Sequence, residues 1–173
     1  TNAGVSAARG VHIGGSVLTS GSGTITIEGQ GDGGSSGVAL GDSSGFNGTI
    51  SSEDGTISIT GTKDTGDAIN INTATSSITT TGTGNLVLIS SGGDINETGT
   101  LDINGTTSLT AGSDDISLTN SSNDFTGAVT IVSGNDVSVT DTNALALAAS
   151  TISNDFTIIS GALTQTGALD VNG

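Results

Sequence analysis

Aromatic side chains are almost absent from this sequence. The chain has no Trp and no Tyr, and its only three Phe among 173 residues are Phe46, Phe125 and Phe156. Aromatic rings normally supply much of the buried area of a compact core, so this core must be built from many small aliphatic side chains along a thin, long interior. We expect the three Phe to stack inside that interior. The lack of Trp and Tyr disfavours recognition of sugars by ring stacking.

Cysteine, proline and methionine are absent as well. Without Cys, and with a single histidine, His12, a tetrahedral metal site has no ligand set. Low Lys with abundant Gly, Ser, Thr, Asn and Asp favours an extracellular protein that does without disulfides. The opening TNAGVSAARG has no charged-then-apolar leader and the ending ALDVNG stops within a repeat. We therefore expect a segment of a longer polypeptide.

Positive charge is also scarce. Arg9 and Lys63 stand against 17 acidic residues, which gives a net charge of −15. Such a surface repels phosphate backbones, so nucleic acid is excluded as a partner. It also repels anionic membrane surfaces, and no run of about 18 apolar residues could enter a bilayer. Cations are the natural small ligands of this surface.

The aliphatic residues recur in pairs with one residue between them, the period of a strand that buries one face. Gly, Asn, Asp, Ser and Thr fill the intervals and favour tight turns. Residues 144–149 keep the same spacing and are predicted as strand, not helix. The pairs are Ile25/Ile27, Val38/Leu40, Ile57/Ile59, Ile69/Ile71, Leu86/Leu88, Leu101/Ile103, Ile116/Leu118, Val129/Ile131, Val137/Val139, Leu145/Leu147 and Leu169/Val171.

The pairs belong to an internal repeat. GGDINET (92–98), SDDISLT (113–119) and GNDVSVT (134–140) begin 21 residues apart. In the first half, GTITIEG (23–29) and GTISITG (55–61) are offset by 32 residues. A fixed period of this size indicates a solenoid.

These repeats predict an all-β fold, a single-stranded parallel β-helix. Each turn of roughly 21–32 residues would hold about three short strands, and each strand would pair with its equivalent about 4.8 Å away in the next turn. We expect one domain over residues 1–173, with irregular longer turns in 1–92 and regular turns of about 21 residues in 93–173.

The segments TITIEG, TISITG, GDINETGTLDING and ALTQTGALDVNG resemble the repeats of very large bacterial surface proteins of the filamentous haemagglutinin type, over most of residues 21–173. The resemblance implies a right-handed coil and an exported, cell-surface adhesin or fibre. Its partners would be other surface proteins, glycans or neighbouring segments of its own chain. Open strand edges would also allow end-to-end or lateral self-association.

The repeat aligns acidic residues. Asp94, Asp115 and Asp136 are 21 residues apart and should stack as a column, with Asp114 in the adjoining one. Stacked carboxylates repel, and the repulsion can be relieved by solvent, by raised pKa values, by donors from neighbouring corners or by a cation such as Ca²⁺. No cofactor is otherwise required, and both a Ca²⁺ site and a solvated corner remain open.

The same register aligns hydroxyl groups. We expect Thr98, Thr119 and Thr140 to form one outward column, with Thr100, Ser121 and Thr142 two residues later. Such ladders resemble the flat threonine arrays of ice-binding solenoids. Stacked Thr also serves ordinary cross-strand packing in a sheet.

Parallel β-helices also include polysaccharide lyases and hydrolases, so the fold leaves an enzyme open. Glu53/Asp54 and Asp114/Asp115 are adjacent pairs, however, and adjacent residues of an extended segment point to opposite faces. The expected function is therefore a non-enzymatic rod, spacer or adhesive segment. The alternatives are a Ca²⁺-dependent adhesin or matrix module, a tailspike-like or lyase-like polysaccharide-degrading enzyme and an ice-binding solenoid.

Overall fold

The computed structural model describes residues 10–173, and within this range it contains 21 strands and no helix. The strands are β1 (Val11–Ile13), β2 (Ser16–Leu18), β3 (Ile25–Gln30), β4 (Val38–Leu40), β5 (Thr49–Ser52), β6 (Ile57–Thr62), β7 (Asp67–Ile71), β8 (Ser77–Thr80), β9 (Leu86–Ser91), β10 (Asp94–Glu97), β11 (Thr100–Ile103), β12 (Thr107–Thr110), β13 (Ile116–Leu118), β14 (Asp124–Phe125), β15 (Val129–Ser133), β16 (Val137–Thr140), β17 (Ala144–Leu147), β18 (Ser150–Ile152), β19 (Phe156–Ile159), β20 (Ala162–Gln165) and β21 (Leu169–Val171).

Every third strand lies in the same sheet through the first five turns. Sheet A has the order β1-β4-β7-β10-β13-β16-β19, sheet B β2-β5-β8-β11-β14, and sheet C β3-β6-β9-β12-β15-β17-β20. A short fourth sheet joins β18 to β21. The pairings along sheets A, B and C are parallel, as in β10 with β13 and β12 with β15. One strand of each sheet per turn makes a parallel β-helix, which confirms the predicted fold.

The turns shorten along the chain. Hydrogen bonds between adjacent turns join residues 32 positions apart at Gly21 and Glu53, and 29 apart at Asp54 and Thr83. The separation is 21 from Asp94 to Asp115 and 19 from Asp136 to Asp155. Where the separation falls to 19, β17 bonds to β15 and β20, so sheet B ends at β14. The long turns carry their extra residues in corners.

Alternate side chains of each strand point inward and stack on their equivalents. Ile69 lies in register with Ile95, Ile95 with Ile116, and Ile116 with Val137. Each of these side chains is at most 1% exposed. A fully buried aliphatic side chain contributes about 1.5–3 kcal/mol, so many small residues together replace an aromatic core. Of residues 144–149, which were predicted as strand, 144–147 form strand β17.

Glycine occupies the corner between sheets B and C in successive turns. A Cβ on Gly105 would lie 2.3 Å from the carbonyl oxygen of Gly84, and a Cβ on Gly127 would lie 2.1 Å from that of Gly105. No side chain fits between main chains this close. The glycine column comprises Gly23, Gly55, Gly84, Gly105 and Gly127.

Two expectations about the core are wrong. Phe46 is 55% exposed, because it lies in a corner that Asp42 closes by donating its N–H to the Phe46 carbonyl oxygen and accepting the Ser44 N–H with its carboxylate. Leu169 and Val171 are 36% and 42% exposed. Within residues 10–173, their strand β21 pairs with β18 alone. Phe125 is fully buried, and Phe156 packs partly buried against the core.

Candidate functional site: the carboxylate corners

Aspartates stand at the corner that leads from sheet C into sheet A. Asp94 opens β10, whereas Asp115 and Asp136 directly precede β13 and β16. The strands that follow are in register, since Ile95 pairs with Ile116 and Ile116 with Val137. All three carboxylates are half-buried. They are therefore stacked one turn apart.

Each carboxylate accepts a hydrogen bond from the backbone of the next turn. The Asp115 N–H donates to Asp94 Oδ1 at 3.0 Å, and the Asp136 N–H donates to Asp115 Oδ1 at 3.0 Å. Asp155 joins the series, because its N–H donates to Asp136 Oδ1 at 3.1 Å. We call Asp94, Asp115, Asp136 and Asp155 the aspartate column.

Main-chain hydrogen bonds between the same turns run in the opposite direction, from an N–H of one turn to an aspartate carbonyl oxygen of the next. The Ile95 N–H donates to the Asp115 carbonyl oxygen at 2.9 Å, and the Ile116 N–H donates to that of Asp136 at 2.9 Å. Asp115 and Asp136 are thus each held by the preceding turn through both the N–H and the carbonyl group. A hydrogen bond to a charged group contributes about 1.5–3 kcal/mol when well formed. The column carries the hydrogen-bond ladder of sheet A through the corner.

Flanking side chains complete this arrangement. Asn135 Nδ2 donates to Asp115 Oδ1 at 2.9 Å, and Asn154 Nδ2 donates to Asp136 Oδ1 at 2.6 Å. Asp114 Oδ2 accepts the N–H of Gly93 in the preceding turn at 2.8 Å. The carboxylates therefore face N–H donors, which is one of the ways to relieve their repulsion. Within residues 10–173, no group of three or more His, Cys, Asp or Glu side chains is arranged to hold a metal. Ca²⁺ binding by the column stays an alternative.

Asp67 occupies the equivalent corner in the turn before Asp94, but its carboxylate has different hydrogen-bond partners. It is paired with Asp94, and a bulge follows at once between Asp94 and Ile95. Its two carboxylate oxygens accept side-chain amide hydrogens from Asn70 and Asn96. Sequence reasoning missed Asp67 and Asp155. Both could have been predicted from the sequence, because each lies one or two positions before the apolar pair or residue that begins a sheet A strand.

The other adjacent acids also connect turns. Glu53 Oε2 accepts the N–H of Gly21 from the preceding turn at 2.8 Å. Asp54 Oδ1 accepts the Thr83 N–H at 2.9 Å and the Thr83 hydroxyl at 3.1 Å from the following turn. Both residues lie in a corner between β5 and β6. The two carboxylates thus contact different neighbouring turns.

The predicted hydroxyl positions do not form one ladder. Thr98 and Thr119 are exposed, but Thr140, the last residue of β16, is only 7% exposed. The outward expectation is therefore wrong for Thr140. Thr100 lies on β11 in register with Ser77. Ser121 and Thr142 are exposed corner residues.

One carboxyl group points into the interior. Glu97 is 4% exposed and occupies the inward position that Leu118 fills in the next turn. Its Oε2 accepts a hydrogen bond from Asn123 Nδ2 at 2.8 Å, and its Oε1 has no partner. Burial raises the pKa of Glu97, and hydrogen bonds from Asn123 and Asn120 oppose that rise. In the sequence, Glu97 of DINE (94–97) stands where Leu118 stands in DISL (115–118). This comparison would have predicted an inward carboxyl group, and sequence reasoning missed it.

The remaining titratable candidates lie elsewhere. His12 Nε2 is 3.6 Å from Asp42 Oδ2 at the surface of β1. Lys63 follows β6 and is buried. Arg9 lies outside the described residues. In residues 10–173 there is no helix that is long and apolar enough to cross a membrane.

Comparisons with known proteins agree with the repeat. A search of curated proteins and a search of solved structures each gave no match. A family model described as repeats of unknown function (DUF5649) matches residues 65–132 and 134–173. Each match begins two residues before an aspartate of the corner, Asp67 or Asp136. Because the matches span more than half of the chain, the chain belongs to this repeat family, DUF5649.

Proposed function

We propose that this chain is a non-enzymatic structural segment of a large exported bacterial cell-surface protein, where it serves as a rigid rod or spacer for attachment or fibre formation. The observation that carries the proposal is the seven-stranded parallel sheet A, which runs from β1 to β19. The aspartate column extends its hydrogen bonding into the corners. In such a solenoid each turn buries its neighbour, so the stack resists bending and local opening.

Composition and resemblance support the surface role. A net charge of −15 gives the rod a strongly acidic surface, and the chain contains no Cys for a disulfide. The likeness of its repeats to those of filamentous haemagglutinin-type proteins favours export and adhesion. The carboxylate pair Glu53/Asp54 supports a structural role, because each member bonds to a different turn. An enzymatic pair would need both carboxylates directed at one substrate bond.

The test replaces the segment within its full-length parent protein. One variant receives a flexible Gly/Ser linker of equal contour length, and a second receives an unrelated β-helix with the same number of turns. A spacer role predicts that attachment of cells falls with the linker and is kept with the foreign β-helix. Loss of attachment with both replacements would show that this segment has a specific binding role. Antibody labelling of intact cells checks the surface location, and labelling only after permeabilisation would contradict it.

The enzymatic alternative has a direct measurement. The purified chain is incubated with a panel of acidic and neutral polysaccharides, and the release of reducing ends or unsaturated sugars is followed. The proposal predicts no release above a heat-unfolded control. Release that disappears in a Glu53→Gln, Asp54→Asn double variant would replace the structural proposal with a catalytic one.

A further inference from the structure

The long turns build a polar cleft on the outer face of sheet A. Its volume is about 320 Å³, and its walls are the corner before β4 and the corner between β6 and β7. Ala39 lies at its floor and is only 6% exposed although it alternates with inward-facing neighbours. Polar groups of Ser36, Asn70 and Asn72 line it. A cleft of this size suits one small ring, since ligand sites span roughly 300–1,000 Å³.

Lys63 lies between this cleft and a smaller hollow of about 180 Å³ that is lined by Asp32 and Asp64. It is the one Lys or Arg side chain in residues 10–173. Only 7% of it is exposed. In this part of the chain its ammonium has no carboxylate oxygen within 4.0 Å and no hydrogen-bond partner. Lys63 contributes to the walls of both cavities, so a ligand in the cleft can approach it.

A buried ammonium without a counter-ion is costly, and an anion placed against it relieves that cost. Asp67 lines the same cleft, and its carboxylate is held in place by the amides of Asn70 and Asn96. The described groups of the cleft therefore present one positive and one negative charge. A compact dianion would be repelled by Asp67, whereas a monoanion that also carries hydroxyl donors matches both charges.

We propose that this cleft binds a sugar that carries a carboxylate, such as a hexuronate. The ligand carboxylate lies on the Lys63 ammonium, and its ring hydroxyls bond to the carboxylate of Asp67 and the amides of Asn70 and Asn72. The site does not depend on the spacer role, because a rod without a ligand would still act as a spacer. Its walls come from the long turns, since they include residues of the corner before β4 and of the corner between β6 and β7.

The experiment titrates the isotope-labelled chain with glucuronate and follows amide signals of Ser36, Gly66, Asn70 and Asn72 by NMR. Glucose and inorganic phosphate are the comparison ligands at the same ionic strength. We expect saturable one-site shifts with glucuronate in the millimolar range, and binding at least about tenfold weaker for glucose and phosphate. Lys63→Met keeps the aliphatic stem and should weaken glucuronate binding at least about tenfold. Asp32→Asn, in the neighbouring hollow, should change it less than about twofold.

Several results would overturn the site. The first two are the absence of any shift at about 50 mM glucuronate and unchanged glucuronate binding by Lys63→Met. Equal binding of glucose would mean that the cleft takes a neutral sugar. Equal binding of phosphate would mean that it is a simple anion site. A thermal melt of Lys63→Met checks that it is folded. If it is not, Asn72→Ala replaces it, because Asn72 is exposed and is expected to contribute to affinity without supporting the core. Unchanged affinity in that variant counts against the site.

Discussion

Asp115→Ala removes one rung of the aspartate column. In the native chain, Asp115 Oδ1 accepts the Asp136 N–H at 3.0 Å and the Asn135 side-chain amide at 2.9 Å. Alanine leaves both donors without this acceptor. The interior is untouched, because the strand that follows begins at Ile116.

The expected cost follows from the burial of the donors. An unsatisfied buried N–H costs about 1–3 kcal/mol. Asp115 and its neighbours are half-buried, so water can replace part of the loss, and we expect a decrease of about 1–2 kcal/mol in the free energy of unfolding. For a chain of this size that corresponds to a melting temperature lower by roughly 2–8 °C. Asp115→Asn keeps an oxygen at the same position, so its cost should stay below about 0.5 kcal/mol.

Urea unfolding followed by circular dichroism measures these differences, with the slope checked in each variant because repeat arrays can lose two-state behaviour. Asp102→Ala is the matched control. Asp102 is an exposed acid on β11 whose side chain makes no hydrogen bond in residues 10–173. Equal stability of Asp115→Ala and Asp102→Ala, or an equal cost of Asn and Ala at position 115, would show that the Asp115 carboxylate does not stabilise the corner.

Three further predictions use the same unfolding measurements. Burial raises the pKa of Glu97 above 4.5, so the stability that the protonated Glu97 contributes is full below pH 4.5 and is lost as pH rises through the folded-state pKa. Glu97→Gln should therefore be more stable than the native protein at pH 8. Parallel pH profiles of the two proteins would contradict this. Phe125→Ala should cost about 3–5 kcal/mol, whereas Phe46→Ala, at an exposed ring, should cost less than about 1 kcal/mol; similar costs would contradict the packing. Because N–H donors already occupy the aspartate column, about 1 mM Ca²⁺ should leave the melting temperature unchanged, and an upward shift that Asp115→Asn abolishes would establish the cation site.

Much of the fold can be predicted from the sequence, because the same alternation of inward and outward side chains recurs in every turn. A strand with one buried face needs an apolar residue at every second position, so Ile57/Ile59 and Ile116/Leu118 mark strands directly. The 21-residue offset then sets the register that stacks Asp94, Asp115 and Asp136. Residues 144–147 are strand despite their helix-favouring composition, because the spacing of two decides which side chains face the interior.

Other features depend on contacts that spacing does not reveal. Phe46 has no apolar partner two residues away and lies among Gly and Asn, so its exposure follows from the corner that Asp42 closes. Glu97 breaks the apolar pattern at an inward position, and its partner Asn123 comes from the next turn. The Lys63 cleft needs two corners that are far apart in sequence. These features arise from packing between turns, not from a local pattern.

The central claim is that successive turns are joined in parallel, with carboxylates continuing the ladder at the corner. NMR scalar couplings transmitted across hydrogen bonds test it directly. We expect couplings from the Ile116 nitrogen to the Asp136 carbonyl carbon and from the Asp136 nitrogen to the Asp115 carboxylate carbon. Absence of the carboxylate coupling in a chain that shows the carbonyl coupling would contradict the role of the column. Absence of both couplings would contradict the parallel pairing of successive turns.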